Sequence, residues 1–64
     1  MKIRYDKETD IVYIQFSHSP IVESDEEKPG IIIDYDADSG IVGLEVLNAS
    51  TKMDQANSVI YEVA

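Results

Sequence analysis

The chain alternates and clusters its apolar positions in a way that spells strands. Lys2-Ile3-Arg4-Tyr5-Asp6 alternates polar with apolar, and Ile11-Val12-Tyr13-Ile14-Gln15-Phe16 is a β-branched and aromatic run, with the turn-favouring Asp6 to Asp10 between them. The pattern resumes at Gly30-Ile31-Ile32-Ile33-Asp34-Tyr35 and Ile41-Val42-Gly43-Leu44-Glu45-Val46-Leu47, which flank the turn residues Asp36-Ala37-Asp38-Ser39-Gly40. Between the two pairs lies a proline-containing, strongly acidic stretch, which reads as a surface connection holding at most a short edge strand around Ile21-Val22.

A shift of thirty residues lays Tyr5-Asp6 over Tyr35-Asp36 and Ile11-Val12 over Ile41-Val42, with Glu8 over Asp38, Thr9 over Ser39 and Ile14 over Leu44. The expectation is therefore an α+β, mainly β, fold: a small antiparallel sheet of two related β-hairpins, about 2–16 and 30–47, in one domain spanning 1–64. A shared loop implies a shared register, with Tyr5 opposite Ile11, Ile3 opposite Tyr13, Tyr35 opposite Ile41 and Ile33 opposite Gly43. On that register one face carries Ile3, Tyr5, Ile11, Tyr13, Ile31, Ile33, Tyr35 and Ile41. The other carries Val12, Ile14, Phe16, Ile32, Val42, Leu44 and Val46 with Lys2, Arg4 and Asp34.

Both faces then need a cover. The tail supplies one: Met53, Ala56, Ile60 and Val63 recur at helical spacing and Thr51 with Asp54 makes a loose capping box, so a short helix is expected at about 51–57. Ser58-Val59-Ile60-Tyr61-Glu62-Val63 reads equally as helix or strand. The second cover is expected from another copy of the chain, as a homodimer.

Composition narrows the function classes. Thirteen acidic residues against five basic give a formal charge of -8, which repels nucleic acid and anionic membrane surfaces, and no apolar run approaches a membrane span. With no cysteine and one histidine the chain has no disulfide and no ordinary structural zinc site. The opening Met1-Lys2-Ile3-Arg4 runs straight into Tyr5-Asp6-Lys7-Glu8 without the apolar stretch of a secretory signal, so a cytoplasmic location is expected.

Tyr5-Asp6 ahead of Asp10-Ile11-Val12-Tyr13-Ile14, then Ile33-Asp34-Tyr35-Asp36, then Gly40-Ile41-Val42-Gly43-Leu44-Glu45-Val46-Leu47-Asn48-Ala49-Ser50 resemble the small prokaryotic family called domain of unknown function 2283, over roughly residues 1–50. The closing run from Gly43 to Ser50 is the specific part. The resemblance implies a short, mostly β, stand-alone cytoplasmic protein. It brings no activity, cofactor or catalytic residue, and some members look as if they are encoded beside small toxin-like proteins.

The chemical candidates are few. Asp34, Asp36, Asp38 and Glu45 occupy positions 1, 3, 5 and 12 of a calcium loop, but the turn glycine is one place late at Gly40 and the flanks are strands, with Asp34 and Glu45 expected on opposite faces. A solvated turn is the expectation. His18, between Ser17 and Ser19, lacks the third group that would orient a base toward a nucleophile, and paired acids need a sugar-sized cleft that a 64-residue chain has little room to enclose. Glu23, Asp25, Glu26 and Glu27 keep a loop soluble or dock a basic protein partner. Asn48 or Ser50 is expected to end the last strand and cap the segment after it; the four tyrosines read first as amphipathic surface-to-core residues, with Tyr13, in a central strand opposite Ile3, the one to test for a chain-to-chain contact. The expectation is thus a non-catalytic protein-interaction module with no cofactor and no metal, homodimeric; the alternative is an acidic antitoxin-like protein that binds a small basic toxin.

Overall fold

A computed structural model describes residues 1–64. Five strands form one antiparallel sheet: β1 (Lys2–Asp6), β2 (Ile11–Gln15), β3 (Glu23–Lys28), β4 (Ile31–Tyr35) and β5 (Ile41–Leu47), in the spatial order β1-β2-β5-β4-β3. The longest strand, β5, is central. One short helix, α1 (Ala49–Lys52), follows it.

The acidic stretch expected to be a loop is a strand. Ile21 and Val22 stay outside it, and β3 is built from Glu-Ser-Asp-Glu-Glu-Lys with every residue exposed. An edge strand needs ladder hydrogen bonds on one side only, and charge on such an edge is protective, so the residue types that argued against a strand are compatible with this one. Pro29 and Gly30 turn it into β4: proline pre-sets its own φ and Gly30 takes φ 78°, which costs a glycine little. Glu26 accepts a hydrogen bond from the Gly30 amide at 2.9 Å.

The first register is displaced by one residue from the expected one. Ile3 lies opposite Ile14 and Tyr5 opposite Val12, because the loop after β1 has four residues and closes at Asp10, in left-handed backbone at φ 57°. The loop after β4 has five, with Ser39 at φ 64° as its left-handed residue, and places Tyr35 opposite Ile41. A bulge between Asp34 and Tyr35 then shifts the pairing, so that Ile33 faces Leu44, not Gly43.

A one-residue slip exchanges the faces of a whole strand relative to its neighbour. Cross-strand rows Ile3–Ile14–Leu44–Ile33 and Tyr5–Val12–Val46–Ile31 share one face; Lys2–Gln15–Gly43–Asp34–Ser24 and Arg4–Tyr13–Glu45–Ile32–Glu26 share the other. The sheet therefore has one apolar face and one predominantly polar face, and the expectation of two apolar faces is corrected.

The apolar face carries the core. Val12, Val46 and Ala49 are buried, with Tyr5, Ile14, Ile31, Leu44, Met53 and Ala56 packed on them. The helix is earlier and shorter than the expected 51–57: Asn48 turns the chain in left-handed backbone (φ 51°, ψ 47°) without a side-chain cap, and Met53 is already extended. Thr51 donates to the Asn48 carbonyl at 2.7 Å, so the Thr51–Asp54 box is not used. Residues 57–64 are neither helix nor strand.

Candidate functional site

The apolar face is incompletely covered. Beyond the core, Ile14, Ile31, Ile33 and Leu44 are only half-buried, and Ile3 is 40% exposed. The tail runs over β1: Ile3, Tyr5, Ala56 and Val59 line one shallow hollow, and Met1, Ile3, Val59 and Tyr61 the next. It brings apolar groups of its own that stay in solvent, Ile60 at 84% and Val63 at 80% exposure. Its only backbone hydrogen bond beyond Ala56 runs from the Ser58 amide to the Gln55 carbonyl at 3.1 Å.

Asp10 fastens α1 to this face. Its carboxylate accepts hydrogen bonds from the Tyr5 hydroxyl at 2.7 Å, the Ser50 amide at 3.0 Å and the Ser50 hydroxyl at 2.6 Å, while its carbonyl accepts from the Ala49 amide at 2.9 Å. The Ser50 hydroxyl, then the Tyr5 hydroxyl, hold the Asp10 carboxyl below the usual carboxylate range. Tyr5 is correspondingly raised, first by donating to Asp10. Ser50 thus joins the helix to the sheet, and Asn48 makes the turn with its backbone.

The polar face holds a closed network. Asp34, the one charged residue that is buried, accepts from the Ser24 hydroxyl at 2.6 Å and the Tyr13 hydroxyl at 3.2 Å. Tyr13 reaches it by lying across Gly43: a Cβ there would meet Tyr13 Oη and sit 2.6 Å from Tyr13 Cζ. Burial, then the Asp34 charge, raises the Tyr13 hydroxyl above its ordinary value. Sequence reasoning missed this trio. The signal was Gly43 alone in a β-branched run, since an isolated strand glycine marks a close approach. Tyr13 serves this network within the chain.

The four calcium-loop candidates do not form a site. The Asp36 carboxylate accepts from the amides of Asp38 at 2.9 Å and Gly40 at 2.8 Å, Asp34 is engaged as described, and no three His, Asp or Glu side chains converge to hold a metal ion. Asp34 and Glu45 lie on one face of the sheet, not on two, because of the bulge. His18 is exposed, 3.4 Å from the Gln15 side-chain amide. No buried side-chain nitrogen or oxygen lacks a hydrogen-bond partner, so no orphaned group points to a ligand. Glu23, Asp25, Glu26 and Glu27 line the β3 edge.

An antiparallel five-strand sheet with one half-covered apolar face, an opposite face that is predominantly polar, and one short helix defines a class of small, mainly β protein. Residues 2–50 match the family model described as "Protein of unknown function (DUF2283)", and the chain belongs to that family. No curated protein and no solved structure matches it. No helix is long and apolar enough to cross a membrane.

Proposed function

We propose that the chain is a non-catalytic protein-interaction module that works as a homodimer, a second copy sheltering apolar groups that its own fold leaves exposed. The observation that supports this reading is the imbalance between what is buried and what is not: the buried apolar core is Val12, Val42, Val46 and Ala49, whereas ten large hydrophobic residues, from Met1 to Val63, remain exposed. A chain of 64 residues has little stability to spare, and each half-exposed large side chain withholds part of the roughly 1.5–3 kcal/mol that full burial contributes. Association recovers it. The two related hairpins belong to the same reading: Asp6 and Asp36, thirty residues apart, each turn the chain by accepting amide hydrogen bonds from their own loops.

A second reading rests on β3. Its four exposed acids, Glu23, Asp25, Glu26 and Glu27, on an open edge suit a cationic protein, as an antitoxin-like chain would use against a basic toxin. Native mass spectrometry of the protein from its own cells separates the two. A companion-free dimer supports the first reading and a stoichiometric basic companion the second; a monomer at every concentration overturns the first.

A further inference from the structure

The two edges of the sheet are not equivalent, and the difference selects where a second copy docks. β1 and β3 both present outward backbone groups, and none of the backbone hydrogen bonds made outside regular elements involves residues 1–9. Unpaired edges of this kind template pairing with another chain unless something prevents it. On β3 something does. An antiparallel pairing of β3 with itself, centred on Asp25, would set Glu23 against Glu27, Ser24 against Glu26 and Asp25 against Asp25, and a register shift between Glu26 and Lys28 also breaks the ladder.

On β1 the same operation gives complementary partners. Pairing centred on Arg4 puts Lys2 opposite Asp6 of the second copy, twice, on the polar face, and Ile3 opposite Tyr5 of the second copy, twice, on the apolar face. All five residues of the strand take part. A two-fold axis normal to the sheet requires facing residues to share a face, so their numbers must sum to an even value, and this register meets that condition. The apolar faces of both copies then lie on one side. The tail already crosses β1 there, with Val59 and Tyr61 beside Ile3, so each tail stands at the seam where its exposed residues meet the second copy.

Pairing β1 of one copy with β3 of another would also bring opposite charges together. However, the alternating order of the sheet makes β1 and β3 run in the same direction, so with the apolar faces kept on one side that contact would be parallel, and being head-to-tail it would propagate without pairing off.

We propose that two copies join antiparallel along β1, about a two-fold axis through Arg4, into a continuous ten-strand sheet. The proposal rests on the homodimer reading and names its interface. Only Arg4 meets its own kind, so it is the one mismatch in the seam, and its removal improves the contact.

The test uses the whole chain, in which no cysteine competes for labels. Sedimentation equilibrium of the wild type and Arg4→Thr is combined with electron paramagnetic resonance of nitroxides placed by Arg4→Cys and, separately, Glu23→Cys. Arg4→Thr is expected to tighten the dimer about two- to fivefold. The Arg4→Cys labels, on backbones about 5 Å apart, broaden each other's spectrum, and the Glu23→Cys labels, about 40 Å apart, do not. A wild-type dimer with unbroadened Arg4→Cys labels overturns this interface and leaves the homodimer standing; a monomer overturns both. A dimer that Arg4→Thr weakens or leaves unchanged overturns the axis at Arg4, and an open-ended series of larger species overturns the closed pairing.

Discussion

The two faces of the sheet solve the problem of burial in opposite ways. On the apolar face Val12 and Val46 are covered by Ala49, Met53 and Ala56, and the coverage fades toward Ile3, Ile14 and Ile33. On the polar face Asp34 is buried beside Tyr13, which folds across Gly43 to donate to it, and Ser24, which donates to it as well. One face is short of cover; the other supplies its own. The difference teaches where apolar cover is to be sought: a face whose buried polar side chains all have partners has little apolar area left to hide, whereas a face with half-exposed isoleucines has more.

The sharpest way to break the contrast is to write polar chemistry into the covered side. Val46 is 4% exposed, in the central strand, with Val12 on one side and Ile31 on the other. Val46→Asp strands a carboxylate without a partner and is expected to cost about 4 kcal/mol or more, enough to leave little folded chain. Circular dichroism of the purified variant checks this, with a native spectrum as the contrary result. Glu45→Gln, one residue away on the polar face, is expected to change stability by less than about 0.5 kcal/mol.

The reverse intrusion, bulk into the polar face, has a smaller effect. Gly43→Ala places a methyl group where the Tyr13 ring lies, so the ring must leave and Asp34 loses one donor. A loss of about 1–3 kcal/mol is expected in urea unfolding. Tyr13→Thr added to Gly43→Ala removes the clash and should recover part of that loss; if the double variant is as unstable as the sum of the singles, Tyr13 and Gly43 are not coupled.

The extent to which this contrast was legible in the sequence turns on single residues. Strand positions in β1, β2, β4 and β5 followed from alternation and β-branching, because those strands carry the core side chains that such patterns report. β3 did not, since an edge strand of exposed acids has no apolar pattern to read. The faces were misassigned by one residue. Whether the left-handed position falls four residues after the turn's aspartate, as Asp10 after Asp6, or three, as Ser39 after Asp36, is a backbone choice that Asp, Ser and Gly all permit, and it decides the register of everything beyond. The Asp34 network was hidden for the same reason: on the expected register Asp34 and Tyr13 lay on different faces. The helix was displaced because Asp10, forty residues earlier, holds Ser50 and fixes where α1 begins, a long-range contact that local periodicity does not contain.

That contact gives a gentler probe of the apolar side. Asp10 is held below its ordinary value by Ser50 and Tyr5, so its folded form prefers the ionised state. A depressed carboxyl contributes stability that is fully present above its unfolded value, about 3.9, and is lost as pH falls through the lower folded value. Melting temperatures of wild type and Asp10→Asn measured from pH 6 down to pH 2 should therefore converge at the acid end. A constant gap across that range would mean that the Asp10 charge plays no part in holding α1.

The rim of the apolar face offers the smallest effect and the most local one. Tyr35 lies opposite Glu23 on β3, and its hydroxyl donates to Glu27 at 2.6 Å. Donation to Glu27, followed by desolvation and the charges of Glu27, Asp25 and Glu23, pushes the phenol up to about 12. A raised group favours folding while it stays protonated, so its contribution is complete below the ordinary tyrosine value near 10 and is lost as pH rises from there through about 12. Ultraviolet titration of tyrosinate should show one phenol ionising near that upper value in the wild type, and Glu27→Gln should bring it back toward 10. Because Glu27 belongs to β3, the same titration reports whether the acidic edge is paired with β4: an unchanged midpoint in Glu27→Gln would detach β3 from the sheet, and with it the argument that its charges keep that edge free of partners.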